Sequence, residues 1–307
     1  MNLDVLFGGK VAPRIRCGDR ELLLDRPRVM GILNVTPDSF SDGGKFTQTD
    51  AALAHAESLI ESGADVIDIG GESTRPGAVA VSPKEQIRRV VPVIEALAKR
   101  ITIPISIDTS EPEVMRAAAG AGAGMLNDQM ALRVDGAMAA AAELGLPVCL
   151  MHMQGTPATM QDAPHYLDVV DEVRRFLADR VLAAQFAGLD PKQLLVDPGF
   201  GFGKMLAHNV SLLANLRQLT GMGAGLMVGL SRKRMIGELT EQALDGRTSG
   251  SVAAALIAAQ QGAILLRVHD VRETVDALKV LQALHGKRQP KKGAKPGPKS
   301  PWDDDDA

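Results

Sequence analysis

The feature that most constrains this chain is an alternation repeated eight times. A short aliphatic or β-branched run ends in a polar cluster, and a longer Ala/Leu/Glu/Arg-rich stretch follows before the next run. The strand-like runs lie at 29–35, 65–69, 103–107, 124–127, 148–151, 194–197, 225–230 and 264–268. The helical stretches lie at 51–62, 83–100, 111–119, 136–144, 167–187, 210–219, 250–260 and 272–284. Many of them carry a glycine stop, at Gly63, Gly120, Gly145, Gly188 and Gly262. The short runs are apolar throughout, the pattern of strands buried on both faces in a parallel sheet. Eight such units with right-handed crossovers close into a (β/α)8 TIM barrel. A doubly wound open sheet is the competing arrangement, and it normally uses fewer strands.

Ahead of the first unit, 14–17 and 21–24 flank Gly18-Asp19-Arg20 and read as an N-terminal β-hairpin closing the bottom of the barrel. Residues 1–285 are expected to form one barrel domain. Residues 286–307 turn to Lys, Pro and Gly and end in Asp303–Asp306, a composition expected to stay disordered. That tail holds the one tryptophan, Trp302.

Charge and composition narrow the function classes. The whole chain carries net −3, but the tail takes six basic and four acidic residues, leaving 28 basic and 33 acidic groups in the body, net −5. An acidic body with 3% aromatic residues disfavours nucleic acid, which needs cationic tracks or stacking platforms. An anionic ligand must then be held by a few placed cations. No apolar run is long enough to span a membrane, the N-terminus has no secretory pattern, and Cys17 and Cys149 imply no disulfide framework. A reducing, cytoplasmic location is expected.

In such a barrel the chemistry gathers at the C-terminal ends of the strands. The polar residues there are Asn34; Asp68, leading to Glu72-Ser73-Thr74-Arg75-Pro76; Asp108-Thr109; Asn127-Asp128; His152; Asp197, before a Gly-rich segment ending in Lys204; Ser231-Arg232-Lys233-Arg234; and Arg267-Val268-His269-Asp270. Asp108, Asp197 and Asn127 with a lysine suit the edge of a planar heterocycle bearing amino, ring N–H and carbonyl groups. Arg267, His269 and Arg75 suit an oxyanion. Asn34, a neutral oxygen donor, suits Mg2+ shared with phosphate oxygens. Bland alternatives exist. Asp108 and Asp197 could be helix caps, Asp68 reads as structural, and His152 reads equally as site or structure.

Met30-Gly31-Ile32-Leu33-Asn34-Val35-Thr36-Pro37-Asp38-Ser39-Phe40-Ser41-Asp42-Gly43-Gly44 resembles the first motif of bacterial dihydropteroate synthases, and Gly70-Gly71-Glu72-Ser73-Thr74-Arg75-Pro76-Gly77 resembles the second. Segments 196–204, 229–233 and 267–271 are similar to further motifs of that family. The resemblance implies condensation of a dihydropterin diphosphate with 4-aminobenzoate by a homodimeric, Mg2+-assisted enzyme. It implies that Thr74, Asp108, Asn127, Met151, Asp197, Gly229, Lys233, Arg267 and His269 bind the pterin diphosphate. It places Phe40, Ser41, Thr74, Arg75, Pro76, Phe202, Ser231 and Lys233 around 4-aminobenzoate, and Asn34 on the metal. Asp42, Lys233, Arg267 and His269 would act in catalysis, Asp42 by stabilising a cationic methylene.

Two positions depart from the resemblance. Gln129 stands where the family usually has an aliphatic residue, and Arg234 where it often has a small one. No Phe-Gly insertion follows Arg75-Pro76, so the sulfonamide-insensitive form is not implied. The rivals are a pterin-dependent methyltransferase, which would not need Lys233, Arg267 and His269 around a diphosphate, and a silent pterin-binding protein, expected to have lost Asn34 or the Asp42 loop.

Overall fold

The computed structural model describes residues 13–36, 45–72, 81–156 and 159–285, with the backbone alone for 45–48 and 285. The hairpin is β1 (Arg14–Cys17) paired antiparallel with β2 (Arg20–Leu23). Eight parallel strands follow: β3 (Arg28–Asn34), β4 (Val66–Gly70), β5 (Ile105–Asp108), β6 (Met125–Asp128), β7 (Val148–Met151), β8 (Leu194–Asp197), β9 (Gly225–Val228) and β10 (Ala263–Val268). They close in sequence order, with β10 pairing β3. The expected TIM barrel is the observed one.

Nine α-helices are present among the described residues: α1 (Lys45–Glu61), α2 (Pro83–Ala98), α3 (Pro112–Ala121), α4 (Ala137–Leu144), α5 (Val169–Phe186), α6 (Leu206–Ala214), α7 (Arg234–Thr240), α8 (Thr248–Gln260) and α9 (Val271–His285). Their inner faces pack on the outer faces of the strands in one continuous aliphatic core that includes Val29, Leu33, Ile67, Ile69, Val90, Ile94, Ile105, Ile107 and Leu126. Asp168 caps α5 by accepting the backbone N–H groups of Val170 and Asp171.

Three details differ from the sequence reading. Helix α3 runs through Gly120 and stops at Gly122, which adopts the left-handed conformation at φ 113°. The stretch 210–219 is a helix shifted earlier, α6, followed by a 3-10 turn at Leu216–Leu219. Helix α7 was not anticipated, because its seven residues are too few for a clear helical period.

The hairpin does close the bottom. Ile15, Cys17, Leu22 and Leu24 pack against Met30, Val66, Met125, Cys149, Leu195, Met227, Ile264 and Leu265, which point inward near the starts of the strands. The approach is so close that a Cβ on Gly124 would stand 2.3 Å from the Cys17 carbonyl oxygen. Burial pushes the Cys17 thiol up to about 12 and the Cys149 thiol well above its ordinary value, so both are inert. With the bottom filled, the opposite end of the barrel is left for ligand.

Candidate active site

The barrel register brings the strand-end polar residues side by side. Asn34 pairs with Gly70, Gly70 with Asp108, and Asp108 with Asn127, while Met151 pairs with Asp197. A Cβ on Gly70 would lie 3.6 Å from Asn34 Oδ1 and 3.8 Å from the Asp108 Cβ, so this glycine keeps the space between those two side chains open.

Arg267, reaching in from β10, is the hub. Its Nε donates to Asp68 Oδ2 at 2.6 Å and its Nη2 to Asp108 Oδ2 at 2.7 Å. Asn127 Nδ2 donates to the same Asp68 Oδ2 at 3.0 Å. Asp68 is wholly buried, and its Oδ1 has no hydrogen-bond partner among the described residues. Such a carboxylate survives in the barrel because Arg267 compensates it. Burial raises the Asp108 carboxyl to about 6, against the pull of Arg267. Gln129 Nε2 donates to the other Asp108 oxygen at 3.0 Å.

Asp128, at the end of β6, serves the backbone instead. Its carboxylate accepts the N–H groups of Met130 and Leu132, each at 2.7 Å, and the Ser110 hydroxyl, fixing the turn in which Ala131 and Leu132 have φ 52° and 57°. Sequence reasoning could not separate it from Asn127 beside it.

On the far side, burial also raises the Asp197 carboxyl, and Oδ1 accepts the Gly199 N–H at 2.7 Å. The segment after it turns tightly, with Gly199 at φ 67°; a Cβ there would lie 1.9 Å from the His152 carbonyl oxygen. Lys204 pins this turn from inside. Its Nζ lies 2.8 Å from His152 Nδ1 and donates to the carbonyls of Gly199 at 2.9 Å and Phe202 at 3.0 Å. His152 packs edge-on against Phe176, and burial with the neighbouring Lys204 lowers its imidazole to about 2. These contacts make His152 part of the framework that holds the turn.

Lys233 Nζ donates to the Phe200 carbonyl and sits 4.4 Å from the centre of the Phe202 ring. Burial lowers its ammonium to about 8, with Asp197 opposing. Met151, Met153, Met160, Met130 and Phe202 form one apolar cluster beside it. Ser231 Oγ lies 3.1 Å from His269 Nδ1 and accepts the His269 N–H at 3.1 Å. Arg232 forms a bidentate pair with Asp270 at 3.0 and 2.5 Å, tying the loops after β9 and β10 together. Arg234 projects to solvent and pairs with Glu238.

The structure thus brings together Asn34, Asp108, Asn127, Met151, Asp197, Phe202, Gly229, Ser231, Lys233, Arg267 and His269 at one end of the barrel, Gly229 flanking Arg267 with its virtual Cβ 3.9 Å from the Arg267 Cβ. Phe40, Ser41, Asp42, Thr74, Arg75 and Pro76 lie outside the described residues, as does the tail 286–307. Asp68 is the residue sequence reasoning undervalued. The available signal was a carboxylate inside an otherwise aliphatic strand, which demands a cation.

A family model described as pterin binding enzyme matches residues 30–269. The dihydropteroate synthase of Escherichia coli K12 is 55% identical over 260 residues, covering 85% of this chain and 92% of that protein. A structure of Xanthomonas albilineans dihydropteroate synthase with 4-aminobenzoic acid superposes with a TM-score of 0.86 at 60% identity, over 90% of this chain and 100% of that one. The same enzyme in complex with 7,8-dihydropteroate gives 0.83 at 57% identity, with the same coverage. Eight parallel strands, a strand-end cluster of carboxylates around one arginine, and similarity of this extent make the chain a member of the pterin-binding enzyme family, among its dihydropteroate synthases.

Proposed function

We propose that the chain is a transferase joining (7,8-dihydropterin-6-yl)methyl diphosphate to 4-aminobenzoate, giving 7,8-dihydropteroate and diphosphate in folate biosynthesis. The observation that carries this reading is the mixed character of the site, buried acceptors set directly against cations. Buried acceptors on β5, β6 and β8 (Asp108, Asn127 and Asp197) lie beside the cations Arg267 and Lys233, with His269 held against Ser231. A heterocycle rich in N–H donors and carrying an anionic leaving group needs both.

In this reading Asp108, Asn127, Asp197 and Lys233 take the edge of the pterin, with Met151, Gly229 and Thr74 beside it. Arg267 lies against the pterin plane and reaches the diphosphate together with His269, which Ser231 orients. The bond from the exocyclic methylene to the diphosphate oxygen breaks, and the electron pair leaves with the diphosphate. The electron-rich dihydropterin carries the resulting positive charge, stabilised by Asp42. The arylamine nitrogen then bonds to the methylene and releases its proton to water. Phe202, Ser231 and Lys233, with Phe40, Ser41, Thr74, Arg75 and Pro76, border the aminobenzoate. Because the cation forms first, a weak nucleophile suffices and no strong protein base is required.

Asn34 is half-buried at the end of β3, its Oδ1 3.6 Å from where a Cβ on Gly70 would stand. No group of three His, Cys, Asp or Glu side chains able to hold a metal exists among the described residues. A neutral oxygen donor of this kind fits Mg2+ shared with the substrate, which Asn34 would hold. Bound there, Mg2+ would help neutralise charge on the leaving diphosphate.

Pairing with a second copy is supported by Ile257 on α8 and Val280 and Leu284 on α9, apolar side chains left exposed on adjacent helices. Incubation with the pterin diphosphate, 4-aminobenzoate and Mg2+ should release diphosphate and dihydropteroate in equal amounts. A folded sample that forms neither overturns the reading. Methyl transfer from a methylated tetrahydropterin instead would point to the rival chemistry.

A further inference from the structure

Asp108 faces the site with both carboxylate oxygens already engaged. Arg267 takes Oδ2 at 2.7 Å, and Gln129 takes Oδ1 at 3.0 Å. The two donors are held differently. Arg267 is pinned from behind by Asp68. Gln129 is half-buried at the start of the turn that Asp128 fixes, and its carboxamide makes no other hydrogen bond among the described residues. The backbone of Gln129 is therefore anchored, while its side chain is free to keep or release Asp108.

A buried carboxylate selects among heterocycles through what happens when a donor is missing. An analogue lacking the facing N–H leaves the acceptor unpaired, and that cost rejects it. A neighbouring side chain that supplies its own donor to the same oxygen removes much of the cost. Resting on the pterin reading above, we propose that Gln129 is a specificity-determining residue: it keeps Asp108 Oδ1 paired whichever heterocycle enters, and so widens the range of pterin-like bicycles accepted at that edge. The ligand class concerned is planar bicyclic heterocycles in which one ring or amino N–H is absent.

The test compares wild type, Gln129→Leu and Gln129→Met by isothermal titration. The probes are 6-hydroxymethylpterin and a set of analogues, each with one N–H donor replaced by C–H. Wild type should tolerate loss of the donor that faces Asp108. Both variants should lose on the order of tenfold more affinity than wild type for that one analogue relative to the parent, the scale of one hydrogen bond to a charged group. Ratios for the other analogues should stay at wild-type values. Equal ratios for every analogue in all three proteins overturn the proposal and leave the pterin reading standing. A folded wild type that does not bind 6-hydroxymethylpterin overturns both. Should Gln129→Leu not fold, Gln129→Met, unbranched and of similar length, carries the comparison.

Discussion

Arg267 and Asp68 form a buried ion pair across the barrel mouth, Nε to Oδ2 at 2.6 Å, with the carboxylate wholly inaccessible to solvent. The pair sets the plane of the guanidinium, whose second edge then meets Asp108. In the proposed function Asp68 would be a positioning residue, holding Arg267 and Asn127.

Removing that carboxylate should therefore affect both stability and turnover. Asp68→Ala leaves Arg267 with Asp108 as its remaining acid partner and strips Asn127 of its acceptor. Urea denaturation should show a loss of about 3 kcal/mol, the lower end for breaking a buried pair. Asp68→Asn keeps the shape and should fold more stably than Asp68→Ala, yet lower kcat far more than it raises KM. Equal kcat values for Asp68→Asn and wild type would remove the positioning role.

The pH profile should show two limbs. Burial raises Asp108 from 3.8 to about 6 and lowers Lys233 from 10.5 to about 8. Asp108 must be ionised to accept a ring N–H, and Lys233 must be charged to donate, so kcat/KM should fall below about pH 6 and above about pH 8. The effects on stability have definite signs. The folded chain holds the Asp108 proton longer than the unfolded chain, so this group's contribution to stability is lost as pH rises from 3.8 to about 6. The folded chain gives up the Lys233 proton sooner, so that group's contribution grows as pH rises from about 8 to 10.5. Asp108→Asn should abolish the acid limb; a profile that keeps it assigns the limb elsewhere.

Lys204 should matter to the aminobenzoate side without touching substrate. Its Nζ links His152 to the carbonyls of Gly199 and Phe202, which fixes the turn carrying the Phe202 ring. Lys204→Met fills the volume but leaves those carbonyls unpaired, at a cost of about 2 kcal/mol by the usual penalty for orphaned buried acceptors. The KM for 4-aminobenzoate should rise several-fold while the KM for the pterin diphosphate changes less. Parallel changes in both constants would contradict a local role.

The barrel was legible because eight apolar runs and their intervening helices leave few ways to close a parallel sheet. The common location of the candidate site residues followed from the same rule, since Asn34, Asp108, Asn127, Asp197, Lys233 and Arg267 sit at strand ends or just beyond. What stayed hidden depends on direction across the barrel. Asp68 and Arg267 are 199 positions apart, and no local pattern says that one will meet the other. Adjacent residues Asn127 and Asp128 have similar surroundings in sequence, yet one faces the site and the other caps a turn, because successive strand residues point to opposite faces. Gln129 likewise gives no sequence sign that it will lie on Asp108.

If Arg267 serves the departing diphosphate, steady-state formation of 7,8-dihydropteroate by Arg267→Ala, with Arg267→Lys alongside, must reveal it. Circular dichroism should show a folded barrel in both variants, with Arg267→Ala the less stable because Asp68 and Asp108 lose their shared cation. The predicted result is a kcat lowered about 100- to 1,000-fold in Arg267→Ala, the scale of losing one group that stabilises developing charge, with partial recovery in Arg267→Lys. Turnover near the wild-type rate in a folded Arg267→Ala protein would contradict the account.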